Sequence, residues 1–251
     1  DLVVAPADDP GDWRRRASDP RKFDSPCLFL HGDEPHLIAR RQVAFGGRYD
    51  CRVADHSKGA TMAEIAANIL VQAPPQFMLC GLSMGGYLSF EIMRQAPQRV
   101  RKLALLDTQA TPEGEAQRAN RYARMEAARS GGMSKLAELQ WEQLVHPMRY
   151  ADARLKDDIR RMALDTGTEV YLRHCAAIMN RVDSRRDLSK IKVSTLVLAG
   201  DKDQLTPPEK AQEMADGIAG ATLVIVPDCG HMSTMERPEA VNAALEAWLA
   251  A

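Results

Sequence analysis

Five short runs of unbroken apolar character, at residues 27–30, 77–80, 103–106, 195–199 and 222–226, recur between longer stretches of helical periodicity. A strand with one wet face alternates apolar and polar side chains. These runs do not alternate, which is the pattern of strands covered on both faces. Strands that take turns with helices over such a length belong to a mostly parallel α/β sheet flanked by helices. A weaker strand is expected at 49–53, and the 251 residues suffice for one such domain carrying an insertion.

The rhythm divides the chain. Residues 1–25 are polar and broken by Pro6, Pro10, Gly11 and Pro20, so they read as an N-terminal arm with Trp13 as an anchor. Residues 26–108 and 190–251 carry the strands and form the α/β core. Between them, residues 109–189 are rich in Arg, Met and Ala, have helical periodicity, and are punctuated by Gly131-Gly132 and Pro147. They read as a helical cap inserted between two neighbouring strands. Thr206-Pro207-Pro208-Glu209 has the form of a capping box, with Thr206 as N-cap and Gly217 and Gly220 closing the helix. Pro238 opens a last helix, with Val241, Leu245 and Leu249 on one face.

Composition excludes several classes. A formal net charge of -1 gives no electrostatic reason to expect nucleic acid or an anionic membrane as partner. Cysteines at 27, 51, 80, 175 and 229 are odd in number and lack metal-site spacing, which points to a reducing, cytoplasmic setting. No apolar run approaches the roughly 20 residues that span a bilayer, and no signal-peptide pattern is visible.

The strongest chemical signal is Gly81-Leu82-Ser83-Met84-Gly85-Gly86, between an apolar run and a helical stretch from Met84 to about Gln95. A serine there sits in a sharp turn, its hydroxyl lifted clear of the backbone beside a helix N-terminus. The glycines let strand and helix approach. A serine hydroxyl needs a base. His231, in Pro227-Asp228-Cys229-Gly230-His231, follows the last apolar run, on the sheet edge where loops after parallel strands gather. The other five histidines have weaker claims, and His146 and His174 are expected at the surface of the insertion. The acid that orients the base should come from the same edge. Asp203, in Gly200-Asp201-Lys202-Asp203, is favoured; Asp201, as a turn brace, and Asp107, after the run 103–106, are rivals. The order Ser83, Asp203, His231 is nucleophile, acid, base.

These motifs resemble the α/β-hydrolase superfamily from about Ser25 to the C-terminus, in particular its capped serine hydrolases: esterases, lactonases and carbon–carbon bond hydrolases. Leu30-His31-Gly32 resembles the first-strand motif, Gly200-x-x-Asp203 the acid motif, and Gly230-His231 followed by Glu236-x-Pro238-Glu239 the histidine motif. The resemblance raises Asp203 above its rivals. It implies an oxyanion hole from the backbone amides of Met84 and Asp33, with Glu34 as the alternate to Asp33. Asp33-Glu34-Pro35 departs from the small or aromatic residues often found there, and two carboxylates oppose the charge such a hole stabilises.

The implied activity is hydrolysis of a small to medium, mostly apolar ester, lactone or thioester through an acyl-enzyme on Ser83. No metal or organic cofactor is required, and the expected partner is a small-molecule ester-like substrate rather than nucleic acid or membrane. The alternative is carbon–carbon bond hydrolysis of a vinylogous diketone by the same triad. Outside enzymology stands a ligand receptor built on this fold. Arg121, Arg124, Arg181 and Arg185 are expected on solvated helix faces, with a substrate carboxylate as their other reading.

Overall fold

A computed structural model describes residues 27–30 and 51–251 of the chain. Six strands, β1 (Cys27–Leu30), β2 (Cys51–Val53), β3 (Phe77–Leu82), β4 (Val100–Leu106), β5 (Ser194–Gly200) and β6 (Thr222–Val226), form one sheet in the order β2-β1-β3-β4-β5-β6. Every neighbouring pair is parallel. Helices α1 (Met62–Gln72) and α2 (Met84–Gln95) lie between β2 and β4. Helices α3 (Glu115–Leu144), α4 (Ala153–Thr166) and α5 (Thr168–Met179) are inserted between β4 and β5. Three more, α6 (Pro208–Gly217), α7 (Ser233–Glu236) and α8 (Pro238–Ala250), follow β5. The N-terminal arm, Trp13 and the loop after β1 lie outside the described residues.

The unbroken apolar runs have their explanation in two cores. Phe77, Leu79, Leu103, Leu105 and Val197 pack with Ile65, Ile69 and Leu88 from α1 and α2 and Met214 from α6. The alternate strand residues Met78, Cys80, Ala104, Leu106, Leu196 and Leu198 pack with Val241, Leu245 and Trp248 of α8. A strand covered by helices on both faces needs apolar side chains at every position, not every second one. β6 is the exception. It stands at the edge of the described sheet, so Ile225 is 39% exposed despite the apolar sequence.

Three strands outrun their apolar runs: β3 by Gly81 and Leu82, β5 by Ser194 and Gly200, and β4 by three residues at its start. β4 begins at Val100 and takes in Arg101 and Lys102, because the Lys102 ammonium donates to the Trp248 and Leu249 carbonyls at 3.0 and 2.9 Å. A cation at those last α8 carbonyls satisfies acceptors that the helix leaves open. The inserted helices also carry one sharp break. Gly132, with φ 71° and ψ -178°, folds α3 into two limbs, so that Arg124 on the first reaches Gln143 on the second. Among the described residues no helix is long and apolar enough to cross a membrane.

Candidate active site

Ser83 stands at the turn from β3 into α2, with φ 52° and ψ -112°. That conformation is costly for a residue with a Cβ, of order 1–3 kcal/mol, and persists only where the surroundings over-determine it. Here they do. The Ser83 N–H donates to the Leu106 carbonyl at 2.9 Å, and its own carbonyl accepts from the Thr108 hydroxyl at 2.8 Å. The glycines are obligatory for contact. A Cβ on Gly81 would lie 2.3 Å from the Gly85 carbonyl oxygen, and one on Gly86 2.3 Å from Thr108 Oγ1.

The other two predicted residues arrive from the loops after β5 and β6. His231 Nε2 lies 2.8 Å from Ser83 Oγ, and its Nδ1 lies 2.8 Å from Asp203 Oδ2. With Nδ1–H donating to the carboxylate, Nε2 presents its lone pair to the serine hydroxyl. His231 and Asp203 are buried while Ser83 is half-buried, so the chain of hydrogen bonds runs from the interior outward.

Asp203 is fully engaged. Its Oδ1 accepts from the Leu205 and Thr206 amides at 2.8 and 3.0 Å, and its Oδ2 also accepts from the Thr206 hydroxyl at 2.7 Å. This corrects the capping-box expectation. Thr206 spends its hydroxyl on Asp203 rather than on α6, whose N-cap position is Pro207 with no side-chain cap. Burial opposes the Asp203 charge, but His231 and the Thr206 donors outweigh it and hold the carboxyl below its ordinary value. Burial likewise opposes a charged His231, yet Asp203 raises the imidazole above its ordinary 6.5.

The rival carboxylates have other work. Asp201 Oδ1 accepts from the Cys229 amide at 3.0 Å and braces the loop. Asp107 is buried one residue past β4, accepting from the Gly200 amide at 3.1 Å and meeting the Ser233 hydroxyl. Burial, with the Asp203 charge adding to it, pushes the Asp107 carboxyl up to about 8. Asp33 and Glu34 lie outside the described residues. Met84 opens α2, where a first-turn N–H has no intrahelical acceptor.

Sequence reasoning missed two supports. Thr108 holds the Ser83 carbonyl, and only the pairing of β3 with β4 brings it there. Glu236, buried, receives the Gly230 amide at 2.9 Å and the His146 amide at 2.7 Å. Arg149 donates to the Glu236 carbonyl at 2.8 Å, and the Met232 amide to that of Leu144 at 3.1 Å. The histidine loop is thereby stapled to the exit of α3. Replacing Glu236 with glutamine sets an NH2 group against a donor, which should cost about 1–3 kcal/mol. Thermal melting is expected to show the drop; an unchanged Tm would mean that the staple carries no stability.

A cavity of about 410 Å³ opens on Ser83 and His231. Of its sixteen described lining residues Tyr87, Leu144, Ile178 and Leu205 are largely apolar, and the other twelve are polar or charged. Other apolar side chains of the insertion pack away from the cavity: Trp141 with Leu155 and Ile159, Met125 with Cys175 and Met179, and Met133 with Leu136. His146 and His174 are buried rather than at the surface. Of the four arginines expected on solvated faces, only Arg185 is exposed. Among the described residues no group of three or more His, Cys, Asp or Glu is placed to hold a metal ion.

The model of one protein family, the alpha/beta hydrolase family, matches residues 28–244. The chain belongs to the alpha/beta hydrolase family. Within it, the chain is 29% identical over 174 residues to 3-oxoadipate enol-lactonase 2 of Acinetobacter baylyi, covering 69% of this chain but only 63% of that relative. It is 26% identical over 225 residues to 2-hydroxy-6-oxononadienedioate/2-hydroxy-6-oxononatrienedioate hydrolase of Escherichia coli K12, covering 78% of this chain and 70% of the other. Among solved structures of the fold, a thermophilic esterase from Thermogutta terrifontis superposes with a TM-score of 0.80 at 28% identity, covering 91% of this alpha/beta hydrolase chain and 90% of its own.

Proposed function

We propose that this protein is a serine hydrolase that cleaves a carboxylic ester, lactone or thioester through an acyl-enzyme on Ser83. The observation that carries the reading is the unbroken relay of 2.8 Å contacts, Ser83 Oγ to His231 Nε2 and His231 Nδ1 to Asp203. His231 takes the hydroxyl proton as Ser83 Oγ attacks the substrate carbonyl, and Asp203 stabilises the imidazolium that results. The Met84 amide and one from the loop after β1, assigned to Asp33, receive the negative charge on the carbonyl oxygen. Losing one such donor typically costs about 100- to 1,000-fold. His231 then returns its proton to the leaving group, and water, activated in turn by His231, releases the acid. The names of the relatives support hydrolysis, and the lactonase and the esterase among them suit an acyl-enzyme.

The test is labelling by a fluorophosphonate together with turnover of p-nitrophenyl esters. Wild type is expected to label at Ser83 and Ser83→Ala to remain unlabelled; label retained in the variant, or none in wild type, overturns the reading. The name of the Escherichia coli relative keeps the diketone reaction as the second reading, distinguished by turnover of such a diketone with negligible ester hydrolysis.

The pH profile is a further expected result. Only neutral His231 accepts the serine proton, and Asp203 stabilises its protonated form. The acid limb of kcat/KM should therefore have its midpoint above 6.5, the ordinary histidine value. A midpoint well below that value would mean that burial, not Asp203, governs the imidazole.

A further inference from the structure

The first limb of α3 turns an inverted face to the cavity. Gln117, Asn120, Arg121 and Arg124 recur at i, i+3, i+4 and i+7, the spacing of one helix stripe, and all four line the pocket. On an outer helix such a stripe normally meets water. Here it meets the nucleophile's cavity.

The charges on that wall do not cancel. The Arg121 guanidinium pairs with the Glu113 carboxylate, donating from Nε at 2.8 Å. Arg181, stacked 4.2 Å over the Tyr87 ring, shares the same Glu113 oxygen at 3.7 Å. One carboxylate therefore serves two guanidiniums. Arg124 has none: among the described residues its single hydrogen-bond acceptor is the neutral Gln143 amide oxygen. Among the described residues, Arg124 and Arg121 on the wall and Arg181 behind it stand against one carboxylate, which leaves two positive charges uncompensated. Burial and the like charge of Arg121 both work against the charged form of Arg124. Nor is the surplus confined to cations, for Glu113 Oε2 and Gln109 Oε1 are buried acceptors without a donor. A buried polar group without a partner is costly unless a ligand completes it.

We infer that this wall is a subsite for a substrate carboxylate, held by Arg124 beside the Arg121–Glu113–Arg181 network, so that the substrate is an acyl compound bearing a free carboxylate away from the scissile bond. A guanidinium fork matches a carboxylate bidentately, and the pairing strengthens where water is excluded. A hydroxyl or N–H on the same substrate would meet Glu113 Oε2 or Gln109 Oε1. This rests on the serine hydrolase reading of Ser83 and adds the chemical class that the site accepts.

The test compares the mono-p-nitrophenyl ester of adipic acid with p-nitrophenyl hexanoate, two acyl chains of equal length of which one ends in a carboxylate. In wild type the hemiester is expected to have the higher kcat/KM, by about tenfold or more. Arg124→Gln should collapse that ratio by about 10- to 100-fold, the worth of a charge-assisted pair, and Arg124→Lys should restore part of it. Arg129→Gln, at an exposed position on the same helix, should leave the ratio unchanged. Equal kcat/KM for the two esters in wild type, or a ratio that survives in Arg124→Gln, overturns the subsite.

Adipate binding by calorimetry to Ser83→Ala separates the two readings. Adipate binding that Arg124→Gln abolishes, together with wild type that does not label, would keep the subsite and remove the hydrolase. Labelling at Ser83 with no adipate binding and no preference between the esters would keep the hydrolase and remove the subsite.

Discussion

Replacing Ser83 with alanine is expected to lower kcat by about a millionfold, the scale seen when a triad nucleophile is removed. The residual rate would come from the oxyanion donors and binding alone, which survive the change. The fold should survive it too. Alanine at φ 52° bears much the same backbone strain as serine, and the bonds from the Ser83 amide and to the Ser83 carbonyl are main-chain bonds that no side-chain change removes. Steady-state kinetics on p-nitrophenyl hexanoate, read beside a melting curve, checks both halves. A variant retaining more than about one part in a hundred of the activity would show that Ser83 is not the nucleophile, since group-specific losses at such positions are far larger.

The second large effect distinguishes two buried aspartates. In Asp203→Asn the acceptor for Leu205 and Thr206 can be kept, but the amide nitrogen then faces His231 Nδ1. The imidazole must turn to its other tautomer, with a proton rather than a lone pair toward Ser83. A loss in kcat of about 10,000-fold is expected. Asp107→Asn should do the opposite. Burial and the Asp203 charge hold the Asp107 carboxyl at about 8, so it is mostly protonated at neutral pH and an amide imitates it. In the unfolded chain the same group titrates near 3.9. Between about pH 4 and 8 the unfolded state therefore gives up a proton that the folded state keeps, and stability falls as pH rises through that window. Asparagine removes that slope. At pH 7.5 the variant should retain activity to within about tenfold and melt about 2–4 °C higher for each kcal/mol recovered. If instead Asp107→Asn were the inactive variant, the acid would have to be reassigned.

What the sequence disclosed follows the range of the interactions involved. The elbow was legible because its determinants are adjacent: the apolar run, the two flanking glycines and the helix from Met84 to Gln95 lie within about twenty residues. His231 was legible for a topological reason, since loops after parallel strands meet on one edge, but that edge also holds Asp107 and Asp201, and the resemblance to the family's acid motif is what raised Asp203 above them. The supports were not legible because they join distant segments. Nothing near Thr206 says that its hydroxyl belongs to a carboxylate three residues earlier rather than to the helix ahead. Nothing near Glu236 names the amide of His146, 90 residues away. Arg121 and Arg124 carried two readings in the sequence, solvent or a substrate carboxylate, because whether a polar face meets water or a cavity depends on where the helix is laid.

The Glu236 staple carries a consequence for transplanting specificity between members of this fold. An exchange of the inserted helices is often planned as a clean excision from one strand end to the next. Here such an excision would take away the partners of residues 230–236 together with the helices, since Leu144, His146 and Arg149 all bond to that loop. A chimaera joined before Leu144 keeps His231 anchored while the described wall of the cavity is replaced. One joined beyond Arg149 changes the cavity wall and the anchoring of His231 at a single stroke.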